Sequence, residues 1–140
     1  MEFISHSEAE TEALGEKLAR SLPEHGVVIA MYGELGAGKT AFVRGLARGL
    51  EVDGAVTSPT FTIVNELYGK RDLFHFDMYR LGSADELFDI GWDYLDRGGV
   101  CAVEWSENVP EAFDGSEIRV SIEKCSDNAR KITIEGASLC

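Results

Sequence analysis

The sequence predicts an α/β fold with a mixed sheet flanked by helices, and three observations support this prediction. Residues 27–32 and 100–105 are apolar runs rich in β-branched side chains, the pattern of strands covered on both faces. Segments with helical periodicity stand before and after the first of these runs. Two further pairs of segments have hairpin spacing, so antiparallel strands are expected to join a parallel set. A length of 140 residues fits one domain, over residues 1–140, and not two.

The first predicted helix covers residues 7–22. Ser7 and Glu10 form a capping-box start, and apolar side chains follow at helical spacing. Pro23 and Gly26 end this helix.

The remaining elements follow in the order of the chain. They are a strand over 27–32, a glycine-rich turn over 33–38, a helix over 39–50, a loop over 51–60, strands over 61–67 and 72–77 that form a hairpin, a helix over 83–95, a strand over 100–105, and strands over 118–124 and 130–135. The last two strands alternate apolar and polar residues, which predicts an exposed hairpin.

Composition and charge exclude several classes of protein. With 44% hydrophobic and 27% charged residues, the chain is typical of a globular protein. A net charge of −12 repels phosphate backbones and argues against a stand-alone nucleic-acid binder. The N-terminus lacks the features of a signal peptide, and no apolar run is long enough to span a bilayer. Three cysteines without close spacing predict neither a disulfide framework nor a metal knuckle, so a cytoplasmic protein is expected.

The motif that carries chemistry is GELGAGKT at residues 33–40, a full match to GxxxxGK[ST] between a predicted strand and a predicted helix. Its glycines let several backbone N–H groups point into one concavity that holds a phosphate, and the following helix adds the positive end of its dipole. Lys39 is expected to reach the β- and γ-phosphates, and the Thr40 hydroxyl to bind Mg²⁺. The competing interpretation is a glycine-rich turn with a solvated lysine, and the strand–loop–helix context favours the phosphate-binding loop. The nucleotide-binding residues predicted are Glu34, Leu35, Gly36, Ala37, Gly38, Lys39, Thr40, Ala41 and, from the next loop, Thr60.

A magnesium-nucleotide site also needs a carboxylate at the end of a buried strand. Asp77 and Glu104 each end such a strand, and the pattern alone allows either to serve the metal. Glu104 follows the more aliphatic strand and ranks first, while Asp77 is the alternative, or the group that orients the attacking water. His75 lies in an apolar strand and is expected to be a satisfied core or hairpin histidine.

The loop over residues 57–60 holds three hydroxyls beside Pro59. It lies where other P-loop proteins sense the γ-phosphate, and an ordinary turn is the alternative interpretation. No functional inference attaches to the segment after about Pro110.

Several motifs together resemble the TsaE (YjeE) family, small bacterial ATPases of tRNA threonylcarbamoyladenosine biosynthesis. The resemblance runs from about residue 7 to residue 108. The matching words are GELGAGKT at 33–40, TSPTFTIVNE at 57–66, HFDMYR at 75–80, EL and IG within 86–91, and EW at 104–105.

The resemblance implies a P-loop ATPase fold, ATP and Mg²⁺ as cofactors, Lys39 on the phosphates, and Thr40 with Glu104 at the metal. It gives Asp77 a role in hydrolysis and makes the loop around Thr60 switch-like. It also implies a TsaD–TsaB-type partner complex that transfers threonylcarbamoyl to tRNA and makes the main contacts to the tRNA. Ala41 departs from the pattern, because relatives often have a second hydroxyl there, and its backbone N–H is the substitute.

The leading hypothesis is therefore a partner-dependent ATPase that is weak alone and supports tRNA modification. A small-molecule P-loop kinase is a second hypothesis, although the short chain leaves little room for an arginine-bearing lid. A non-hydrolysing nucleotide-sensing adaptor is the third.

Overall fold

A computed structural model describes residues 1–24, 26–33, 38–52, 64–77, 99–104, 106 and 115–137. Two helices lie in these ranges, α1 (Glu8–Arg20) and α2 (Lys39–Gly49). The strands are β1 (Glu2–Ser5), β2 (Val27–Tyr32), β3 (Val64–Leu67), β4 (Leu73–Asp77), β5 (Val100–Glu104), β6 (Ile118–Ser126) and β7 (Ala129–Glu135). The helix expected over 83–95 lies outside the described residues.

The seven strands form one mixed sheet in the order β1-β7-β6-β2-β5-β4-β3. The strands β6, β2, β5 and β4 run parallel to one another, and β7, β1 and β3 add antiparallel pairs at the two sides. The predicted α/β class with a mixed sheet is thereby confirmed. The carboxyl ends of β2, β5 and β4 meet at one edge, which is where open α/β sheets hold their ligands.

The two helices pack together over one face of the sheet. This face includes Ile29 and Met31 of β2 and Ala102 of β5, which join the apolar faces of α1 and α2 in one buried cluster. Phe74 and Cys101 are fully buried as well, on the alternate positions of their strands. Burial on both faces explains why the parallel strands are continuous apolar runs.

Two sequence-based expectations need correction. Strand β1 was not predicted, because four residues that pair with the distant β7 leave no local pattern. The hairpin of β6 and β7 exists and its turn over 126–128 is exposed, but the expectation of exposure is wrong for the first half of β6. Strand β6 lies inside the sheet between β7 and β2, and its alternate residues Val120 and Ile122 are fully buried.

Helix α1 starts as its sequence predicts. The N-cap Ser7 is extended, and its Oγ accepts from the backbone N–H of Glu10 at 3.1 Å. The carboxylate of Glu10 accepts in turn from the backbone N–H of His6 at 3.1 Å. The Glu10 N–H, which the helix leaves free, and the N–H of His6 just before the N-cap are thus both satisfied by side chains.

We expect Ser7→Ala to lower the free energy of unfolding by about 1 kcal/mol, because the Glu10 N–H loses its acceptor. Ser7→Asp keeps an acceptor at this position and should retain most of the stability. Urea denaturation of the protein without nucleotide measures both variants, and equal losses in the two would contradict the capping role.

Candidate functional site

The glycine-rich motif joins the carboxyl end of β2 to the start of α2. Gly33 follows β2 directly, and Gly38 is the N-cap of α2 with φ +111° and ψ +16°. A side chain at Gly38 would be strained, since L-residues rarely adopt this left-handed backbone. The predicted binding residues between them, Glu34, Leu35, Gly36 and Ala37, lie outside the described residues.

The first turn of α2 is not capped by any side chain among the described residues. No side chain caps Gly38, and the first turn holds no acidic residue. In contrast, α1 has the Ser7 cap and two acids in its first turn. Among the described residues, no side chain therefore compensates the positive dipole end of α2, whereas that of α1 is already compensated.

Lys39 is nearly buried, with 5% of its surface exposed. Its Nζ donates to the carbonyl oxygen of Gly33 at 2.7 Å, so the ammonium is held at the point where the loop begins. The side chain thus spans the motif from end to end. A solvated lysine on a plain turn would be exposed, and the observed burial disfavours that interpretation. Thr40 is half-buried, and Ala41 is buried against the core.

Glu104 ends β5, the immediate neighbour of β2 in the sheet. It is 5% exposed, and its Oε2 makes a hydrogen bond with Nε2 of His75 on β4. The expectation that His75 is a core histidine is correct, since it is fully buried. The expectation that it is satisfied is wrong for one nitrogen, since within the described ranges Nδ1 has no hydrogen-bond partner.

Asp77 ends β4 and is the register partner of Glu104 across the parallel pair. The two predicted carboxylates therefore come from neighbouring strand ends at the same edge of the sheet. The position of the Asp77 side chain lies outside the description, as do Thr60 and the rest of the loop over 57–60. The choice between Asp77 and Glu104 at a metal thus stays a prediction.

Ser106 is a residue that sequence reasoning missed. Its side chain is fully buried, donates to the carbonyl of Val103 at 2.7 Å and accepts from the N–H of Met31 at 3.2 Å. It thereby ties the end of β5 to β2 just before the glycine-rich motif. A lone serine after a strand has no local signal for such a contact, because its partner Met31 is 75 residues away.

A cleft of about 270 Å³ adjoins the start of α2, and sequence reasoning missed it too. Gly38 and Ala41 form one wall, Thr11 and the residues before α1 another, and the β6–β7 turn with Arg130 a third. Three segments far apart in sequence meet here, so no single sequence motif predicts the cleft. The segment after Pro110, from which the sequence allowed no functional inference, thus contributes to this cleft through the β6–β7 turn.

Other features of the described residues lie apart from this site. A larger surface cavity of about 800 Å³ lies at the far ends of α1 and α2, beside Arg71 and with charges of both signs in its walls. Cys101 and Cys125 are free, and burial raises the pKa of the Cys101 thiol to about 12, so this thiol stays protonated. No helix in the described ranges is long and apolar enough to cross a membrane.

The described elements define an α/β protein in which a GxxxxGK[ST] sequence links a buried parallel strand to a helix, next to a strand that ends in a buried carboxylate. Comparison with known proteins identifies the group within this class. The sequence pattern of the family described as "Threonylcarbamoyl adenosine biosynthesis protein TsaE" matches residues 5–132. The chain belongs to the TsaE family.

Individual relatives agree with this assignment. A protein of Treponema pallidum named tRNA threonylcarbamoyladenosine biosynthesis protein TsaE is 40% identical over 135 residues, which are 96% of this chain and 99% of the relative. The protein of the same name from Aquifex aeolicus is 41% identical over 136 residues, 95% and 94% of the two chains. The crystal structure of Bacillus subtilis YdiB superposes with a TM-score of 0.77 at 32% identity, covering all of this chain and 86% of YdiB.

Proposed function

We propose that this chain binds ATP with Mg²⁺ and hydrolyses it in support of threonylcarbamoyl transfer to a tRNA adenosine. The observation that carries the proposal is the start of α2. There a helix end that no described side chain caps, a left-handed glycine and a buried lysine held at the opening of the motif occur together. Each of these favours an anion of several charges, and the spacing of the motif fits a triphosphate.

The proposed metal ligands have the chemistry that Mg²⁺ prefers. Glu104 offers a carboxylate and Thr40 a hydroxyl, both hard oxygen donors, and Mg²⁺ commonly takes one or two protein groups with phosphates and waters completing its shell. The second oxygen of Glu104, Oε1, has no hydrogen-bond partner in the described part of the chain, and in this proposal it binds the cation. Bound there, Mg²⁺ would neutralise charge on the phosphate oxygens.

The cleft beside Gly38 supports a nucleotide rather than a free phosphate. It begins where a phosphate chain on α2 would end, and its polar walls include Thr11 and Arg130. Its volume is near the lower limit of small-molecule sites and fits a nucleoside better than a large metabolite. We therefore propose this cleft as the nucleoside subsite.

The acidic surface supports a protein partner rather than direct tRNA binding. A net charge of −12 opposes a polyanion, so in this proposal a TsaD–TsaB-type complex makes the main tRNA contacts and performs the transfer. The relatives' names place those proteins in tRNA threonylcarbamoyladenosine biosynthesis. A cytoplasmic location belongs to the same proposal. The decisive experiment is phosphate release from ATP with and without the partner pair, and turnover at background in both would favour the nucleotide-sensing adaptor.

We expect Glu104→Ala to lower the Mg²⁺-dependent turnover by about 10²- to 10³-fold, the usual loss for one well-placed charged contact to a transition state. ADP affinity without metal should stay close to that of the wild type, because Lys39 and the α2 N-terminus are unchanged. Phosphate release and calorimetry measure the two quantities.

Glu123→Ala is the matched control, since Glu123 is an exposed carboxylate on β6. It should leave both quantities unchanged. Full turnover in Glu104→Ala would move the metal role to Asp77.

A further inference from the structure

His75 is an unusual residue for its place in the sheet. It lies in the middle of β4 between Phe74 and Phe76, and all three side chains are fully buried. Placing a polar ring in such an apolar strand is unfavourable unless the ring gains a compensating interaction. Among the described residues, the ring makes one hydrogen bond, to the carboxylate of Glu104.

The sheet itself sets this contact. His75 is in register with Ala102, and Glu104 follows two residues later on β5, so both side chains project from the same face. No loop is needed to bring them together. The backbone positions of His75 and Glu104 are therefore fixed by the β4–β5 pair.

The donor and the acceptor of the hydrogen bond between His75 and Glu104 can be assigned. A carboxylate oxygen accepts hydrogen bonds, so with Glu104 ionised the Nε2–H group of His75 donates a hydrogen bond to Oε2 of Glu104. In the described part of the chain Nδ1 is buried without a partner, which suits a bare ring nitrogen better than an N–H group. The hydrogen bond to Glu104 thus favours the tautomer with the proton on Nε2.

The carboxylate has two oxygens with different surroundings. His75 holds Oε2, and among the described residues Oε1 has no hydrogen-bond partner. A glutamate side chain turns about several bonds, and a hydrogen bond to one oxygen restricts where the other can lie. Carboxylates that bind metals are commonly held in this way by a second residue.

We infer that His75 is the positioning residue of the cation site: its Nε2–H fixes Glu104 so that Oε1 is presented to the divalent ion. The inference rests on the proposed function, because it takes Glu104 as a ligand of the nucleotide-bound cation. It goes beyond that function by assigning a role to a residue that does not contact the cation.

Two variants of His75 separate positioning from simple packing. Glutamine carries an amide nitrogen at the same number of bonds from Cα as Nε2, and asparagine carries one at the distance of Nδ1. His75→Gln therefore keeps a donor for Glu104, whereas His75→Asn places its donor on the side where the wild type makes no bond. Mn²⁺ serves as the probe, and its affinity for the protein saturated with ADP is measured by electron paramagnetic resonance.

We expect His75→Asn to weaken Mn²⁺ binding by about tenfold or more, and His75→Gln to stay within about threefold of the wild type. ADP affinity in the presence of EDTA should be the same in all three proteins. Equal Mn²⁺ affinities in the two variants, with ADP binding intact, would overturn this inference but not the proposed function. A wild-type protein that binds no ADP would overturn the proposed function and this inference with it.

A second measurement uses the wild-type protein and does not depend on the variants folding. Long-range ¹H–¹⁵N correlation spectra distinguish a protonated ring nitrogen from a bare one. We expect the proton of His75 on Nε2, and a change in the Nε2–H resonance when Mg²⁺ is added to the ADP complex. A proton on Nδ1 would contradict the positioning role. So would an Nε2–H resonance that does not change when Mg²⁺ is added while ADP stays bound.

Discussion

Lys39→Ala should lower the affinity for ATP and ADP by at least about 10²-fold, because it removes a charged contact to phosphate oxygens in a nearly buried position. The ammonium is held at the Gly33 carbonyl, so in the folded protein it is already located inside the motif. Little side-chain entropy then remains to be lost on binding, and the full electrostatic gain counts toward affinity. Isothermal titration with MgATP and with ADP measures the loss.

Lys17→Ala is the matched control for this prediction. Lys17 is an exposed lysine on α1, so its removal changes the net charge by the same amount without touching the motif. Its affinity for nucleotide should equal that of the wild type. An affinity within a few-fold of wild type in Lys39→Ala would mean that the motif does not hold phosphates.

The stability of Lys39→Ala should differ little from that of the wild type. The hydrogen bond from Nζ to Gly33 is partly exposed, and a bond of this kind contributes about 1 kcal/mol. A thermal melt therefore separates loss of binding from loss of fold. Lys39→Arg is not a conservative alternative, because the guanidinium is a planar fork and not a compact charge.

Local patterns correctly predicted most of the helices and strands that lie in the described residues. The capping box at Ser7 predicted the start of α1, and the apolar runs predicted β2 and β5, because each of these signals acts within a few residues. Strand β1 and the central place of β6 were not predicted, since both depend on pairing between distant segments.

In the candidate site, too, the features that depend on local sequence were predicted and those that depend on distant contacts were not. The motif around Lys39 is contiguous, so its lysine and glycines could be named from the sequence. The hydrogen bond between His75 and Glu104 joins residues 29 positions apart, and the contact of Ser106 with Met31 spans 75. Such contacts are set by the order of strands in the sheet, which the sequence pattern did not specify.

The packing role of the glycines inside the helices could not be predicted from the periodicity of the sequence either. Glycine in a helix usually weakens it by about 0.5 to 1 kcal/mol relative to alanine, so the pattern gave Gly15 and Gly45 no role. In the structure they lie where α1 and α2 come closest. A Cβ at Gly45 would overlap the carbonyl of Glu12, and one at Gly15 would overlap the carbonyl of Phe42.

Gly45→Ala should therefore destabilise the protein, although the same change in an isolated helix is stabilising. The added methyl meets the backbone of Glu12 and not the end of a flexible side chain, so one helix must move. Overpacking of this kind costs about 1 to 3 kcal/mol or more, and the gain in helix propensity offsets less than 1 kcal/mol of it. We expect a lower midpoint in urea denaturation, and a melting temperature lower by up to about 10 °C for 2 kcal/mol in a chain of this size.

Ala13→Val tests whether added volume alone has this effect. Ala13 is exposed on α1, so its larger side chain meets no second helix and should change the stability only by the small difference in helix propensity. A Gly45→Ala protein as stable as the wild type would show that the helices are farther apart than the structure has them.

The helix movement caused by Gly45→Ala would also act on the site, because α2 begins with Lys39. Helix α2 is held against α1 by this crossing and by the ion pairs of Arg44 and Arg48 with Glu12. Nucleotide affinity should therefore fall together with stability in Gly45→Ala, and stay unchanged in Ala13→Val.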